Sequence, residues 1–120
     1  MLGLNGKTAF VFGVASEDSI AWAICKMLAE SGVSLYLGYQ KRFRSRIFQL
    51  KDKLPQIAGF YPLDVASDET TKEFYDAFSA DNPGKKADIM IHAIGFAPRA
   101  CFDRPILFVE DQDINTAMTI

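Results

Sequence analysis

The sequence predicts an α/β fold in which helices cover both faces of a parallel β-sheet. Short apolar runs rich in β-branched and aromatic residues alternate with segments whose apolar residues recur at helical spacing. The connections between these segments are short, as they are in doubly wound sheets built from βαβ units. With 120 residues, 49% of them hydrophobic, the chain is long enough for one packed domain and no more.

Residues 8–32 predict the first strand and the first helix. Residues 8–12, TAFVF, form a continuous apolar run that ends at Gly13 and is typical of a strand buried on both faces. Apolar residues then keep the spacing of one helix face from Ile20 to Leu28. The Ser-Gly pair at residues 31–32 predicts the end of this helix.

The second strand, helix and third strand follow with short connections. Residues 33–39 (VSLYLGY) and 57–65 (IAGFYPLDV) are apolar runs with high β-propensity, and each predicts a strand. Between them, residues 43–54 predict a helix that closes before Pro55. The order of elements is the one expected of consecutive parallel strands joined by helices.

The remaining elements suggest a domain that is only partly contained in the chain. We predict a helix over residues 67–80 with Ser67 as its N-cap, and a fourth strand over residues 87–95 (ADIMIHAIG). From Asp111 onward, helical apolar spacing continues to the last residue without a capping signal. We therefore expect residues 1–120 to form one partial domain, truncated after the fourth strand and the start of the next helix.

The composition argues against several classes of function. A net charge of −2 and an isoelectric point near 5.3 disfavour a nucleic-acid partner, and the basic cluster at residues 41–46 (KRFRSR) is too short to provide a basic face. No apolar run approaches the roughly 18 residues of a membrane span, so we expect a cytoplasmic protein with no membrane partner. Cys25 and Cys101 are too few and too far apart for a disulfide framework or a metal site, and we predict reduced thiols.

The loop after the first strand, GVASEDSIA at residues 13–21, has two serines where nucleotide-binding loops usually have further glycines. In a doubly wound sheet this turn meets phosphates through backbone N–H groups and the positive end of the helix dipole. Gly13 permits the tight turn. Ser19 at the helix start predicts either a simple N-cap or a hydroxyl donor to a pyrophosphate oxygen.

The end of the second strand carries Gln40, Lys41 and Arg42 where an acidic residue commonly binds the adenosine ribose. The missing carboxylate and the added positive charge are compatible with a 2′-phosphate, which leaves both NADH and NADPH open as cofactors. The alternative is a solvated loop whose charges simply flank a helix start.

The ends of the third and fourth strands offer further candidate residues. Asp64 and Val65 are placed to flank an adenine ring, although an aspartate at such a position is also a common turn former. In HAIGFAP, Gly95 allows close approach of a ligand to the backbone, and Phe96 provides an apolar wall. His92 lies inside the strand pattern and is expected to be a packed core histidine rather than a base.

Together, the motifs GVASEDSIA, YQ, LDV and HAIGFAP, in this order and at these separations, resemble those of the NAD(P)H-dependent enoyl-acyl-carrier-protein reductases of bacterial type II fatty-acid synthesis, a divergent branch of the short-chain dehydrogenase/reductases. The resemblance extends over the chain from Leu4 onward and implies a Rossmann-type dinucleotide-binding domain. It also implies reduction of a trans-2-enoyl thioester on acyl carrier protein, and a homotetramer for the intact enzyme.

The resemblance implies roles for particular residues. Asp64 and Val65 would lie around adenine, with Gln40 on the adenosine side, whereas Phe96 and Ala97 would border the pocket for the acyl substrate and inhibitors. The full set of implied cofactor-contacting positions, from the pyrophosphate loop through the adenosine side to the nicotinamide half, is Gly13, Ala15, Ser19, Ile20, Gln40, Asp64, Val65, Ile94 and Gly95.

Two features depart from the family pattern. Phe12 stands where a threonine is commoner, and the QKRFR run is more basic than in many members. Members also use a Tyr-x6-Lys pair downstream of the fourth strand, whereas residues 96–120 contain neither tyrosine nor lysine. We therefore assign no catalytic residue and expect the 120-residue chain alone to be inactive, its catalytic part being absent.

Two other functions stay open from the sequence. Another short-chain reductase, such as a ketoacyl or alcohol dehydrogenase, is disfavoured because SIA after the first loop and GFAP after the fourth strand differ from the commoner motifs of those enzymes. A non-catalytic dinucleotide-binding module on the same fold is the second alternative.

Overall fold

The computed structural model describes residues 3–96 and 98–119. In this part of the chain there are four strands: β1 (Thr8–Phe12), β2 (Ser34–Tyr39), β3 (Ile57–Pro62) and β4 (Ile89–His92). They form one parallel sheet in the order β3-β2-β1-β4. Because β1 lies between β2 and β4, the direction of winding reverses beside it, and helices cover both faces. The predicted doubly wound parallel sheet is confirmed.

The helices begin close to their predicted positions, but their lengths differ. The expected helix over residues 43–54 is a shorter α-helix between two 3₁₀ turns at Lys41–Phe43 and Lys51–Lys53. Cys101 lies in a short helix that the sequence pattern did not predict. The α-helices are α1 (Ile20–Glu30), α2 (Arg44–Leu50), α3 (Asp68–Asp81), α4 (Ala100–Asp103) and α5 (Asp111–Thr119).

The third and fourth strands end earlier than predicted because their neighbours end. β2 stops at Tyr39, and its carbonyl accepts the last bond on that side, from the Leu63 N–H at 2.8 Å. Similarly, β1 stops at Phe12, whose carbonyl accepts from the Ala93 N–H at 2.9 Å. Beyond these points the chain leaves the sheet, so both strand ends become loops at the same edge.

The two faces of the sheet have different cores. Under α1 and α2 the core is mainly aliphatic, with the buried Trp22 and Cys25, and burial raises the pKa of the Cys25 thiol to about 12. Under α3 the core is aromatic: the Phe10 ring meets those of Phe74 and Phe78 edge-on, with centroids 5.0 and 4.7 Å apart. Such edge-to-face pairs add to the stabilisation from burial. Cys25 and Cys101 form no disulfide bond within the described residues.

Tyrosine hydroxyls tie the end of α3 to the sheet. Tyr36 donates to Asn82 Oδ1 at 2.9 Å, and Tyr61 donates to Asp81 Oδ2 at 2.8 Å. Burial, reinforced by this bond to Asp81, raises the pKa of Tyr61 to about 12. The two bonds anchor α3 across β2 and β3.

β4 is the least covered strand. Met90 and His92 are exposed, so the expectation of a packed core histidine at position 92 is wrong. The reason is that β4 packs extensively only against β1 among the described residues. In residues 3–96 and 98–119, no helix is long and apolar enough to cross a membrane.

Candidate functional site

A continuous cleft opens at the carboxyl ends of the four strands. It consists of two adjoining cavities of about 590 and 230 Å³ that share Gln40, Arg42, Leu63, Ile94 and Gly95 as lining residues. This is the crevice where ligands bind in open α/β sheets, beside the strand at which the winding reverses. We call the part formed after β2 and β3 the β2–β3 end, and the part formed by residues 93–96 the β4 end.

Gly13 joins the two ends of the cleft. Its φ is +116°, and a Cβ at this position would lie 2.2 Å from the Ala93 carbonyl oxygen. A side chain is therefore excluded by the chain leaving β4 as well as by the backbone conformation. Gly13 lines the smaller cavity together with Ala15. The predicted tight turn is present, and the close contact with Ala93 gives it a second cause.

The Ser19 hydroxyl is used within the loop that precedes α1. It accepts from the Trp22 N–H at 3.3 Å as the N-cap of α1 and donates to the Ser16 carbonyl at 2.7 Å. Neither Ser19 nor Ile20 lines the two cavities, and the Ile20 residue is 78% exposed. The structure therefore supports the N-cap interpretation. To donate to a bound phosphate, the Ser19 hydroxyl would have to give up its hydrogen bond to the Ser16 carbonyl.

An exposed ion pair connects the loop between β1 and α1 to the segment that follows α2. Glu17, in the loop, pairs with Lys53, in the 3₁₀ turn that follows α2. Both side chains are about half exposed, so the pair stabilises little by itself. It connects the loop over the cleft to the helix that follows β2.

The β2–β3 end is positively charged where the chain leaves β2. Gln40, Lys41 and Arg42 line the larger cavity, and Arg42 lines the smaller one as well. The Arg42 guanidinium carbon lies 4.6 Å from the centre of the Phe43 ring, a cation–π contact that restrains the side chain. Neither Lys41 nor Arg42 takes part in the ion pairs found within residues 3–96 and 98–119.

Where the chain leaves β3, Asp64 and Val65 line the larger cavity, and Asp64 is held by several hydrogen bonds. Its Oδ1 accepts from the Ala66 N–H at 3.0 Å, which is a turn-forming contact. The Thr70 hydroxyl accepts from the Asp64 N–H at 3.0 Å and donates to the Asp64 carbonyl at 2.8 Å. Asp64 is thus a turn former that also lines the cleft, so the two interpretations of this residue are compatible.

The β4 end is more open. Ile94, Gly95 and Phe96 line the larger cavity, and Phe96 is 49% exposed. A Cβ added to Gly95 would meet no atom within 4 Å, so nothing in the folded chain requires glycine there. Ala97, the other predicted substrate-pocket residue, lies outside the described residues.

Sequence reasoning assigned no role in the cleft to three residues that shape it. Thr70 and Leu63 line it, and Phe12 supports it from below because its ring occupies the space that a side chain on Gly38 would need. Thr70 lies three residues after the N-cap Ser67, which is a local signal. The contact of Phe12 with Gly38 joins two strands, so only a knowledge of the register could have revealed it.

Comparison with known proteins shows which family this sequence resembles. A family described as enoyl-(acyl carrier protein) reductase matches residues 13–120. The chain is 36% identical over 104 residues to the enoyl-[acyl-carrier-protein] reductase [NADH] FabI of Nostoc sp., covering 82% of this chain and 39% of that protein. It is 34% identical over 99 residues to the enoyl-[acyl-carrier-protein] reductase [NADPH] FabI of Staphylococcus aureus, covering 81% of this chain and 38% of that protein.

A solved structure agrees with the fold over almost the whole chain. The enoyl-[acyl-carrier-protein] reductase (NADH) of Aquifex aeolicus VF5 superposes with a TM-score of 0.86 at 30% identity, covering 98% of this chain and 50% of that one. The chain therefore spans half or less of the length of the three proteins named.

Proposed function

Since this chain belongs to the enoyl-(acyl carrier protein) reductase family, we propose that it forms the cofactor-binding part of an enzyme that reduces trans-2-enoyl thioesters on acyl carrier protein. The observation that carries the proposal is the continuous cleft beside β1, lined by the motif residues that follow all four strands. The relatives named for NADH and for NADPH support either dinucleotide as the cofactor. When bound, the nicotinamide supplies a hydride to the β-carbon of the thioester.

We assign the smaller cavity and the first loop to the pyrophosphate and its ribose. Gly13 and Ala15 both line this cavity, and the close approach of Ala93 excludes a side chain at Gly13. Ser19 and Ile20 begin α1, whose positive dipole end favours a diphosphate. Their side chains lie outside the cavity linings, so both residues are assigned through the position of the helix start.

The remaining lining residues are assigned along the length of the dinucleotide. Gln40 contacts the adenosine, Asp64 and Val65 flank adenine, and Ile94 and Gly95 contact the nicotinamide half. Phe96 and Ala97 border the acyl substrate in this proposal. Apart from Ala97, which lies outside the described residues, these positions all line the same cleft, and this shared lining supports their assignment to one ligand.

No residue of this chain is assigned to the chemical step. The step requires a donor that stabilises the negative charge developing on the thioester carbonyl oxygen. Residues 96–120 contain neither the tyrosine nor the lysine that the family places downstream of the fourth strand. We therefore propose that the 120-residue chain alone does not turn over. On the family resemblance, we also propose that the intact enzyme is a cytoplasmic homotetramer.

The charge at the β2–β3 end favours NADPH over NADH in this proposal. A 2′-phosphate on the adenosine ribose would carry negative charge, and Lys41 with Arg42 supplies the opposite charge at the cavity wall. Arg42 is the better candidate for a direct contact, because its guanidinium fork matches phosphate geometry and its position is restrained by Phe43.

Calorimetric titration of the full polypeptide with NADH and NADPH tests the proposal. We expect both to bind, and Arg42→Ala to weaken NADPH about tenfold while changing NADH less than about twofold. Arg44→Ala is the matched control, since Arg44 lies over the Phe48 ring and lines neither cavity. Absence of binding by both dinucleotides would overturn the function; equal losses for NADH and NADPH in Arg42→Ala would overturn the 2′-phosphate contact alone.

A further inference from the structure

The Thr70 side chain makes two hydrogen bonds with the backbone of Asp64, the residue proposed to contact adenine. Its hydroxyl both accepts from the Asp64 N–H at 3.0 Å and donates to the Asp64 carbonyl at 2.8 Å. One side chain on α3 therefore contacts both polar groups of the Asp64 backbone. The Asp64 carbonyl also accepts from the Ser67 N–H at 2.9 Å, and the Ser67 carbonyl is a second, longer acceptor for the Thr70 hydroxyl at 3.2 Å. The Thr70 residue is half-buried and itself lines the larger cavity, so this clasp lies at the wall of the cleft.

The clasp restricts where the Asp64 carboxylate can lie. With the backbone held by Thr70 and Oδ1 accepting from the Ala66 N–H at 3.0 Å, the rotation of the side chain is confined. The other carboxylate oxygen, Oδ2, has no hydrogen bond or ion pair within the described residues. An acceptor oxygen is thus left available on a residue of the cavity lining, although Asp64 itself is exposed.

We propose that Thr70 is a positioning residue that sets the preference of the cleft for adenine by holding Asp64. The inference rests on the function proposed above. The 6-amino group of adenine donates hydrogen bonds and suits a carboxylate acceptor, whereas hypoxanthine has a carbonyl oxygen at the same position, which a carboxylate repels. A preorganised Asp64 discriminates between the two bases, and a loose one does not.

The test compares NADH with reduced nicotinamide hypoxanthine dinucleotide, titrated into the full polypeptide. We expect the wild type to prefer NADH about tenfold, as expected for one charge-assisted hydrogen bond. Thr70→Val removes the hydroxyl and is expected to reduce this preference to less than about threefold. Thr70→Ser keeps the hydroxyl and is expected to retain the preference.

Thr71→Val is the matched control in the same turn of α3. The Thr71 hydroxyl donates to the Ser67 carbonyl at 3.0 Å and makes no hydrogen bond to Asp64 within the described residues, and Thr71 does not line the cavities. A merely structural loss would weaken both dinucleotides together and leave their ratio unchanged. The ratio, rather than either affinity, is therefore the decisive readout, and thermal melting identifies any variant that fails to fold.

The outcomes separate the inference from the function on which it rests. A wild type that binds neither dinucleotide overturns the proposed function, and the inference falls with it. A wild type that binds NADH but does not prefer it overturns the inference alone. The same holds if Thr70→Val keeps the full preference, or if Thr70→Ser loses it to the same extent as Thr70→Val.

Discussion

The two ends of the cleft differ in how completely this chain builds them. At the β2–β3 end the turns are closed by hydrogen bonds: the Leu63 N–H to the Tyr39 carbonyl at 2.8 Å, the Ser67 N–H to the Asp64 carbonyl at 2.9 Å, and the Thr70 clasp on Asp64. At the β4 end, Phe96 is half exposed, and the segment that follows exposes a series of apolar side chains: Phe102, Ile106, Leu107 and Phe108.

This difference indicates that the two halves of a dinucleotide depend on different parts of the protein. The proposed adenosine site needs only β1–β3, α3 and the turns between them, all of which pack into the two cores. The proposed nicotinamide site has its backbone positions at Ile94 and Gly95, but few side chains of the described residues enclose it. We therefore expect the chain to bind the adenosine half of a dinucleotide more strongly than the nicotinamide half.

The largest expected effect comes from Gly13→Ala, which disrupts the close contact between Gly13 and Ala93. The new methyl group would collide with the Ala93 carbonyl oxygen at 2.2 Å, and alanine disfavours a φ of +116°. We expect a loss of about 3 kcal/mol or more in the free energy of unfolding, with loss of dinucleotide binding, as measured by urea denaturation and calorimetry. Both follow because β1 and the segment after β4 would have to separate.

Gly84→Ala is the control for Gly13→Ala. Gly84 also has a positive φ, +76°, but a Cβ there would meet no atom within 4 Å. It therefore carries a conformational penalty of about 1 kcal/mol without a collision. Equal destabilisation by the two substitutions would contradict the contact with Ala93 as the cause.

The next largest effect is expected at Gly38, which packs against Phe12 and Leu63 at the β2–β3 end. A Cβ on Gly38 would lie 2.6 Å from Phe12 Cδ1 and 2.8 Å from Leu63 Cδ2. We expect Gly38→Ala to cost about 1–3 kcal/mol through overpacking. The Phe12 ring, which is buried and meets the Phe74 ring edge-on at 5.2 Å, cannot move aside without loss of packing.

A double-mutant cycle isolates the contact between Phe12 and Gly38. Phe12→Ala creates a cavity and is itself destabilising, but it frees the space beside position 38. Gly38→Ala should then cost clearly less in the Phe12→Ala background than in the wild type, as measured by denaturant unfolding, because only the close contact with Leu63 remains. If it costs as much as in the wild type, Leu63 rather than Phe12 sets the restriction.

Local signals predicted more of this molecule than non-local ones. The apolar run of β1 and the Ser67 N-cap are properties of adjacent residues, and both were predicted in place. The ends of β3 and β4 were predicted too late because a strand stops where its partner stops, which its own sequence does not encode. Phe12 was recognised only as a departure from a family pattern, since its fit to Gly38 depends on the register of β1 with β2.

In the candidate site, too, some features were predictable from the sequence and others depend on the folded structure. The positions after each strand were predicted because parallel strands bring their carboxyl ends to one edge, and the cavity linings include most of them. Ser19 was predicted to be either a cap or a phosphate donor, and its bonds to Trp22 and Ser16 could be known only from the folded loop. His92 was expected to be packed, and its exposure depends on what covers β4 rather than on its own strand pattern.

The smallest effect on stability is expected at the β4 end, where Gly95→Ala separates folding from binding. A methyl group at Gly95 meets nothing within 4 Å, so the free energy of unfolding should change by less than about 0.5 kcal/mol. If the nicotinamide half lies against this backbone, the same methyl group should weaken NADH binding about tenfold, as measured by calorimetry, and weaken ADP binding less, because ADP lacks the nicotinamide half that is assigned to Gly95. Equal weakening of NADH and ADP would contradict the division of the cleft into two ends, since it would show that Gly95 acts on both halves of the ligand.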